Sequence, residues 1–270
     1  MTPFITTCKS ALRTIFTPAP RPAPRCTNIS MLLMHLVDFD AAHYAYVLRW
    51  LAFPLKNPGA KMHFGLAITG EAGTGKHLFF QKVALALHAG QARIMRPGGE
   101  DILNNYWAAG LRLVVVEGKI TQQSLSRVRA LMVPNSLMIK AADTPWREQR
   151  NHLNFVLISN GSTALFPAHG DRRFLAIEAP PARERGFYDA VAHEIEHGGV
   201  EAFRQYLLFG LDMHGFDEYT LPPGMDGSGN GGYKGSAPPP VRHAAPVATC
   251  CEAHQLPFGC DQGRLCPLQR

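Results

Sequence analysis

One short run constrains this chain more than any other: Gly70-Glu71-Ala72-Gly73-Thr74-Gly75-Lys76, a G-x-x-x-x-G-K loop. Ahead of it stands His63 to Thr69 (HFGLAIT), a brief apolar run bounded by turn residues, which predicts a buried strand. Behind it Leu78, Phe79, Val83, Ala86 and Leu87 recur at helical spacing and predict a helix from Lys76 to His88. A strand, a glycine loop and a helix in that order make a phosphate cradle. Glycines permit backbone angles that turn successive N–H groups inward, and the helix N-terminus adds partial positive charge. Lys76 then reaches the β and γ phosphates of a nucleoside triphosphate. Gly70, Glu71, Ala72, Gly73, Thr74, Gly75, Lys76 and His77 are therefore expected around the nucleotide. At the last of these positions Ser or Thr normally holds Mg2+, and the neutral imidazole of His77 is a poor magnesium ligand.

Three more apolar runs read as buried strands: Leu111 to Val116 (LRLVVV), Asn154 to Ser159 (NFVLIS) and Phe174 to Ile177. Helical patterns fall over 41–55, ended by Pro54 and Pro58, and over 122–132, 187–196 and 200–211. Strands alternating with helices predict an α/β fold of the P-loop NTPase kind, a mostly parallel sheet sandwiched by helices. Glu117 ends the LRLVVV strand about 40 residues after the loop, placed to hold the metal shell or to polarise an attacking water. Where two adjacent acids are common, Gly118 takes the second place. Asn160 follows the third strand and suits orientation of a lytic water toward the γ-phosphate. Arg172 and Arg173, just before the fourth strand, have the chemistry of an arginine finger acting on a neighbouring subunit's nucleotide.

The ends differ in composition from the middle. The 21 prolines and 25 glycines concentrate there, predicting an ordered domain over 31–223 between a disordered basic leader (1–30) and a disordered tail (224–270). Lys9, Arg13, Arg21 and Arg25 stand in the leader without an acid, a superficial likeness to a transit peptide; a structureless arm, or sequence upstream of a start at Met31 or Met34, is the plainer expectation. Thr17 to Pro24 alternates proline and reads as an extended arm. Four of the six cysteines lie in the tail. Cys250, Cys251, His254, Cys260 and Cys266 lack the paired C-x-x-C spacing of a zinc knuckle, so a tail without metal is expected. A core without a disulfide framework suits a reducing cytoplasm. The formal charge of +6 favours an anionic partner such as nucleic acid. No apolar run approaches the roughly 20 residues of a membrane span.

Read together, Trp50-Leu51-Ala52, Pro58-Gly59-Ala60-Lys61, GEAGTGKHLFF, Ser159-Asn160, Asp171-Arg172-Arg173-Phe174 and Gly198-Gly199-Val200-Glu201-Ala202-Phe203 resemble the helicase domain of phage and plasmid primase-helicases. Those are superfamily-three-like members of the AAA+ ATPases, and the resemblance covers about Met31 to Pro223. It implies a homo-oligomeric ring, a hexamer in the family, that hydrolyses ATP with Mg2+ and moves along single-stranded DNA. It also implies a primase or polymerase partner and the cytoplasm of a bacterial host. By position Gly73, Gly75 and Lys76 would bind phosphate, Glu117 would be the metal-site acid, Asn160 the sensor and Arg172 or Arg173 the finger. Lys140 stands where related helicases carry a lysine on a DNA-contacting hairpin. Trp146 and Arg147 follow it, suited to base stacking and phosphate contact; a solvated lysine is the alternative at Lys140. Two rival functions stay open: a DNA-associated protein that binds nucleotide without turnover, which His77 and Gly118 keep alive, and a small-molecule P-loop kinase.

Overall fold

The computed structural model describes residues 25–97, 105–140, 145–160 and 172–225. Asp171, the proline arm, the glycine-rich run after Met225 and the cysteine tail lie outside the described residues.

Five parallel strands form the central sheet: β1 (Gly65–Thr69), β2 (Ala92–Met95), β3 (Leu113–Glu117), β6 (Asn154–Ile158) and β7 (Phe174–Glu178). Their spatial order is β2-β3-β6-β1-β7. The three middle strands are apolar apart from their end residues Thr69, Glu117 and Asn154 because both of their faces are covered, as parallel sheets require. Side chains alternate between two cores. Leu66, Ile68, Val115, Val156 and Ile158 join the core under the N-terminal and C-terminal helices. Ala67, Val114, Val116, Phe155 and Leu157 join the core under α4 (Gln122–Met132). Thr121 caps α4, its hydroxyl accepting from Ser124 N–H, with Ser124 answering back to Thr121 N–H.

The first helix, α1 (Thr27–Leu36), begins inside the stretch expected to be leader and runs through both Met31 and Met34. Ile29, Leu32, Leu33 and Leu36 are buried on one face of it, which is what orders it. Its first turn is capped from far along the chain: Glu194 accepts from Asn28 N–H at 3.0 Å and Ile29 N–H at 2.9 Å. The second helix, α2 (Ala41–Lys56), passes through Pro54 instead of ending there. A proline this near the C-terminus costs a single intrahelical bond, and the exit is closed by Asn57 N–H donating to Phe53 O.

The helix after the glycine loop, α3, is π-wound over Leu78–Ala84 and α-wound over Leu85–Leu87. Two further α-helices follow, α5 (Arg185–Glu194) and α6 (Val200–Gln205), joined through a kink at Ile195–Gly199, and a π-wound segment at Tyr206–Gly210 continues α6. Gly198 sits at φ +90° in that kink, and a Cβ on Gly199 would lie 2.6 Å from both Cγ and O of Glu194. The Gly-Gly pair thus lets Glu194 reach α1.

A small antiparallel hairpin stands beside the sheet, made of β4 (Ser136–Ile139) and β5 (Arg147–Arg150). Leu137 and Ile139 anchor it in the α4 core. Met138 faces out, and Lys140 and Trp146 flank the tip.

Candidate functional site

Strand order decides where a ligand is met. In a parallel sheet the crevice lies beyond the carboxyl ends of the strands, where connections leave in different directions. Here β6 is inserted between β1 and β3, so three turns open side by side: the glycine loop after β1, Glu117-Gly118 after β3 and Ser159-Asn160 after β6. A cavity of about 340 Å³ lies among them, lined by Gly73, Thr74, Lys76, His77, Glu117 and Asn160 together with Ala72, Gly75, Leu78, Lys82 and Tyr188. Most of the site residues expected from the sequence are thus brought to one place.

The loop holds its shape through glycines at angles other residues avoid. Gly70, Gly73 and Gly75 have φ of +145°, +86° and +92°. A Cβ on Gly75 would stand 2.6 Å from Leu32 Cδ1 and 3.0 Å from Tyr188 Cε1, so α1 and α5 back the loop directly. Lys76 is 4% exposed. Its ammonium donates to Gly70 O at 2.9 Å, Glu71 O at 2.7 Å and Thr74 Oγ1 at 2.9 Å. Burial lowers its pKa from the ordinary lysine value, and the nearby Glu117 carboxylate opposes that shift. The cation is thus collared by neutral oxygens at the mouth of a helix N-terminus.

His77 is exposed, yet its ring is held against Glu117. Its Nδ1 lies 2.8 Å and 2.9 Å from the two carboxylate oxygens of Glu117. A carboxylate accepts only, so Nδ1 carries the shared proton. Gly118 follows at φ +136°, where the chain turns away after Glu117.

Arg172 and Arg173 are not in this cavity. Arg173 O accepts from Gly65 N–H, and Phe174 pairs with Gly65, at the end of β1 opposite the glycine loop. Five residues of strand at ~3.3 Å each separate them, about 17 Å. Neither guanidinium reaches its own chain's loop. Both are exposed at the sheet's amino edge. Lys140 and Trp146 do meet: the Lys140 ammonium lies 5.9 Å from the centre of the Trp146 ring, a cation–π contact. Arg147 is exposed on the adjoining strand. The hairpin is separate from the cavity.

Sequence reasoning missed Leu78, Lys82 and Tyr188 as cavity lining. Lys82 lies one turn beyond the expected loop residues and was legible by helical spacing. Tyr188 arrives from α5, more than a hundred residues on, and only tertiary structure places it. Several residues that carry the family resemblance turn out to pin the scaffold. Trp50 Nε1 donates to Phe64 O at 2.7 Å in the core. Lys61, its pKa lowered by burial, donates to Pro134 O at 2.7 Å and Val133 O at 3.2 Å. Gly59, at φ +97°, offers its carbonyl to His152 Nδ1 at 2.6 Å.

No family model matches the chain, and no curated protein matches it. Among the described residues, no helix is long and apolar enough to cross a membrane. Solved structures do match in shape. An A-form apo structure of the NrS-1 C-terminal region is 22% identical, with a TM-score of 0.57, covering 71% of this chain and 48% of that one. An apo structure of NrS-1 residues 305–718 gives 19% identity and a TM-score of 0.58, covering 73% and 50%. A second A-form structure of that region gives 20% identity and a TM-score of 0.60, covering 73% and 47%. The chain spans about half the length of the structures it matches, and what it shares with the NrS-1 C-terminal region is the fold.

Proposed function

We propose that this chain binds ATP at the glycine loop, hydrolyses it, and uses the cycle to move along single-stranded DNA as a helicase-type subunit of phage or plasmid replication. One observation carries the reading. Lys76, Glu117 and Asn160, which come from three separate strand ends, line a single cavity with the glycine loop. Phosphate oxygens would take over the contacts that Lys76 makes to Gly70 O and Glu71 O, exchanging neutral acceptors for charged ones. Glu117 would accept the proton of the attacking water, and Asn160 would hold that water in line with the γ-phosphate.

Magnesium, the expected companion of ATP, fits this donor set poorly. Glu117 offers oxygen, but the position after Lys76 offers imidazole, and Thr74 Oγ1 is committed to Lys76 and Glu71 O. Arg172 or Arg173 would complete a neighbouring subunit's site, since neither reaches its own. That geometry favours a ring of identical subunits, a hexamer by the family resemblance. Lys140, Trp146 and Arg147 would form the DNA contact, an aromatic face beside positive charge. A primase or polymerase would act with it in a bacterial cytoplasm. A second reading, nucleotide binding without turnover, is favoured by the His77–Glu117 contact, which ties up the carboxylate that hydrolysis needs.

ATP hydrolysis by the full chain, with and without single-stranded DNA and beside Lys76→Ala, separates the two. Turnover that DNA stimulates and Lys76→Ala abolishes is the expected result. ATP binding without turnover would leave the second reading standing and sink the first.

A further inference from the structure

His77 is the one loop residue whose chemistry disagrees with the metal such a loop is expected to hold, and its geometry indicates a different ion. Its Nδ1 and the two Glu117 oxygens are 2.8 Å and 2.9 Å apart. They arrive from separate elements, the start of α3 and the end of β3, and both line the cavity that contains Lys76. In an octahedral shell with bonds of ~2.1 Å, neighbouring ligand atoms stand about 3.0 Å apart. The present spacing is close to that edge, so a cation could take the place of the shared proton with the two side chains turned to face it and kept at nearly the same separation. His77 is more than half exposed and free to turn.

Imidazole nitrogen with carboxylate oxygen is a mixed donor pair. Mg2+ takes oxygen ligands and sheds water reluctantly, whereas the first-row transition ions accept imidazole readily. Of these, Mn2+ stands nearest to Mg2+ in its preference for carboxylate, phosphate and water oxygens, so it suits the rest of a nucleotide shell while accepting a single imidazole. Among the described residues no group of three or more His, Cys, Asp or Glu side chains converges. The described residues thus offer two ligands, and nucleotide phosphates would supply others.

We propose that His77 and Glu117 form a two-ligand seat for a transition-metal divalent cation, best matched by Mn2+, which enters with the nucleotide in place of Mg2+. One Glu117 oxygen ligates the ion and the other remains for the attacking water. The inference rests on the nucleotide-site reading above.

The test compares ATP affinity of the full chain in MnCl2 and in MgCl2, for the natural protein, His77→Ser and Lys76→Ala. Pulsed electron paramagnetic resonance of the bound Mn2+·ATP is recorded alongside. ATP should bind at least about tenfold tighter with Mn2+ than with Mg2+, and the Mn2+ spectrum should carry nitrogen-14 modulation from imidazole. His77→Ser, an exposed change, should remove the nitrogen signal and bring the two affinities together. ATP binding in which Mn2+ shows no nitrogen coupling, or a metal preference unchanged in His77→Ser, overturns the metal seat alone. No binding with either metal, in a folded protein indistinguishable from Lys76→Ala, overturns the nucleotide site and the metal seat together.

Discussion

Asn154 uses both ends of its buried amide at the amino edge of the sheet. Its Oδ1 accepts from Met62 N–H at 2.6 Å, while Nδ2 donates to Arg112 O, His152 O and Ala60 O. The sequence presents it only as the first letter of an apolar run. Asn154→Ala would strand a buried N–H and should lower stability by roughly 1–3 kcal/mol; a urea midpoint that does not move would refute the role. His88 is a second residue whose part comes from burial. Burial, with Arg112 adding repulsion, pushes its imidazole from 6.5 down to about 4. As pH falls below 6.5 the unfolded chain takes up this proton first, so the stability His88 contributes is full above pH 6.5. It should drop through the window from 6.5 to 4, by on the order of 3 kcal/mol. Denaturation curves across that window should be flatter in His88→Gln, and equal slopes would rule the histidine out.

Among the elements, legibility tracked how fully each is buried. β1, β3 and β6 stand out in the sequence because both faces are covered, and α4 is found at its exact residues because its cap and stripe are local signals. β2 is half-exposed at the sheet edge and β5 (REQR) has no apolar residue, so neither has a period to read. α1 was hidden by its proline- and arginine-rich approach, though its apolar face is spaced as a helix requires. The glycine loop, Glu117 and Asn160 were legible from chain order; the His77–Glu117 contact was not, because 40 residues separate its partners. The hairpin β4–β5 has its own expected behaviour. Trp146→Ala and Lys140→Ala remove an exposed stacking face and its cation, and each should weaken single-stranded DNA binding by about 1–3 kcal/mol while leaving ATP affinity unchanged. Filter binding at fixed salt measures the first and calorimetry the second. Equal loss in both would mean that the hairpin supports the fold instead.

At the scale of the whole molecule, the two edges of the sheet present different groups. The carboxyl edge of the sheet holds the glycine loop, and the amino edge holds Arg172 and Arg173, with about 17 Å of strand between. If those arginines act across subunits, mixing should reveal it. A Lys76→Ala protein and an Arg172→Ala/Arg173→Ala protein should each be inactive alone, yet regain part of the ATPase when combined. A mixture no more active than its components would show that the arginines serve their own chain's fold or none of this chemistry.

The clasp between α1 and Glu194 joins residues 165 and 166 positions apart, and that separation governs what happens during synthesis. At ~5–20 residues per second, α1 leaves the ribosome roughly 10–30 s before the glutamate that caps it. Through that interval Ile29, Leu32, Leu33 and Leu36 lack part of their final cover, and the glycine loop lacks its backing from α5. The apolar face of α1 is thus exposed on the nascent chain for longer than it takes to synthesise the glycine loop itself, and its cover is completed only from the far end of the domain.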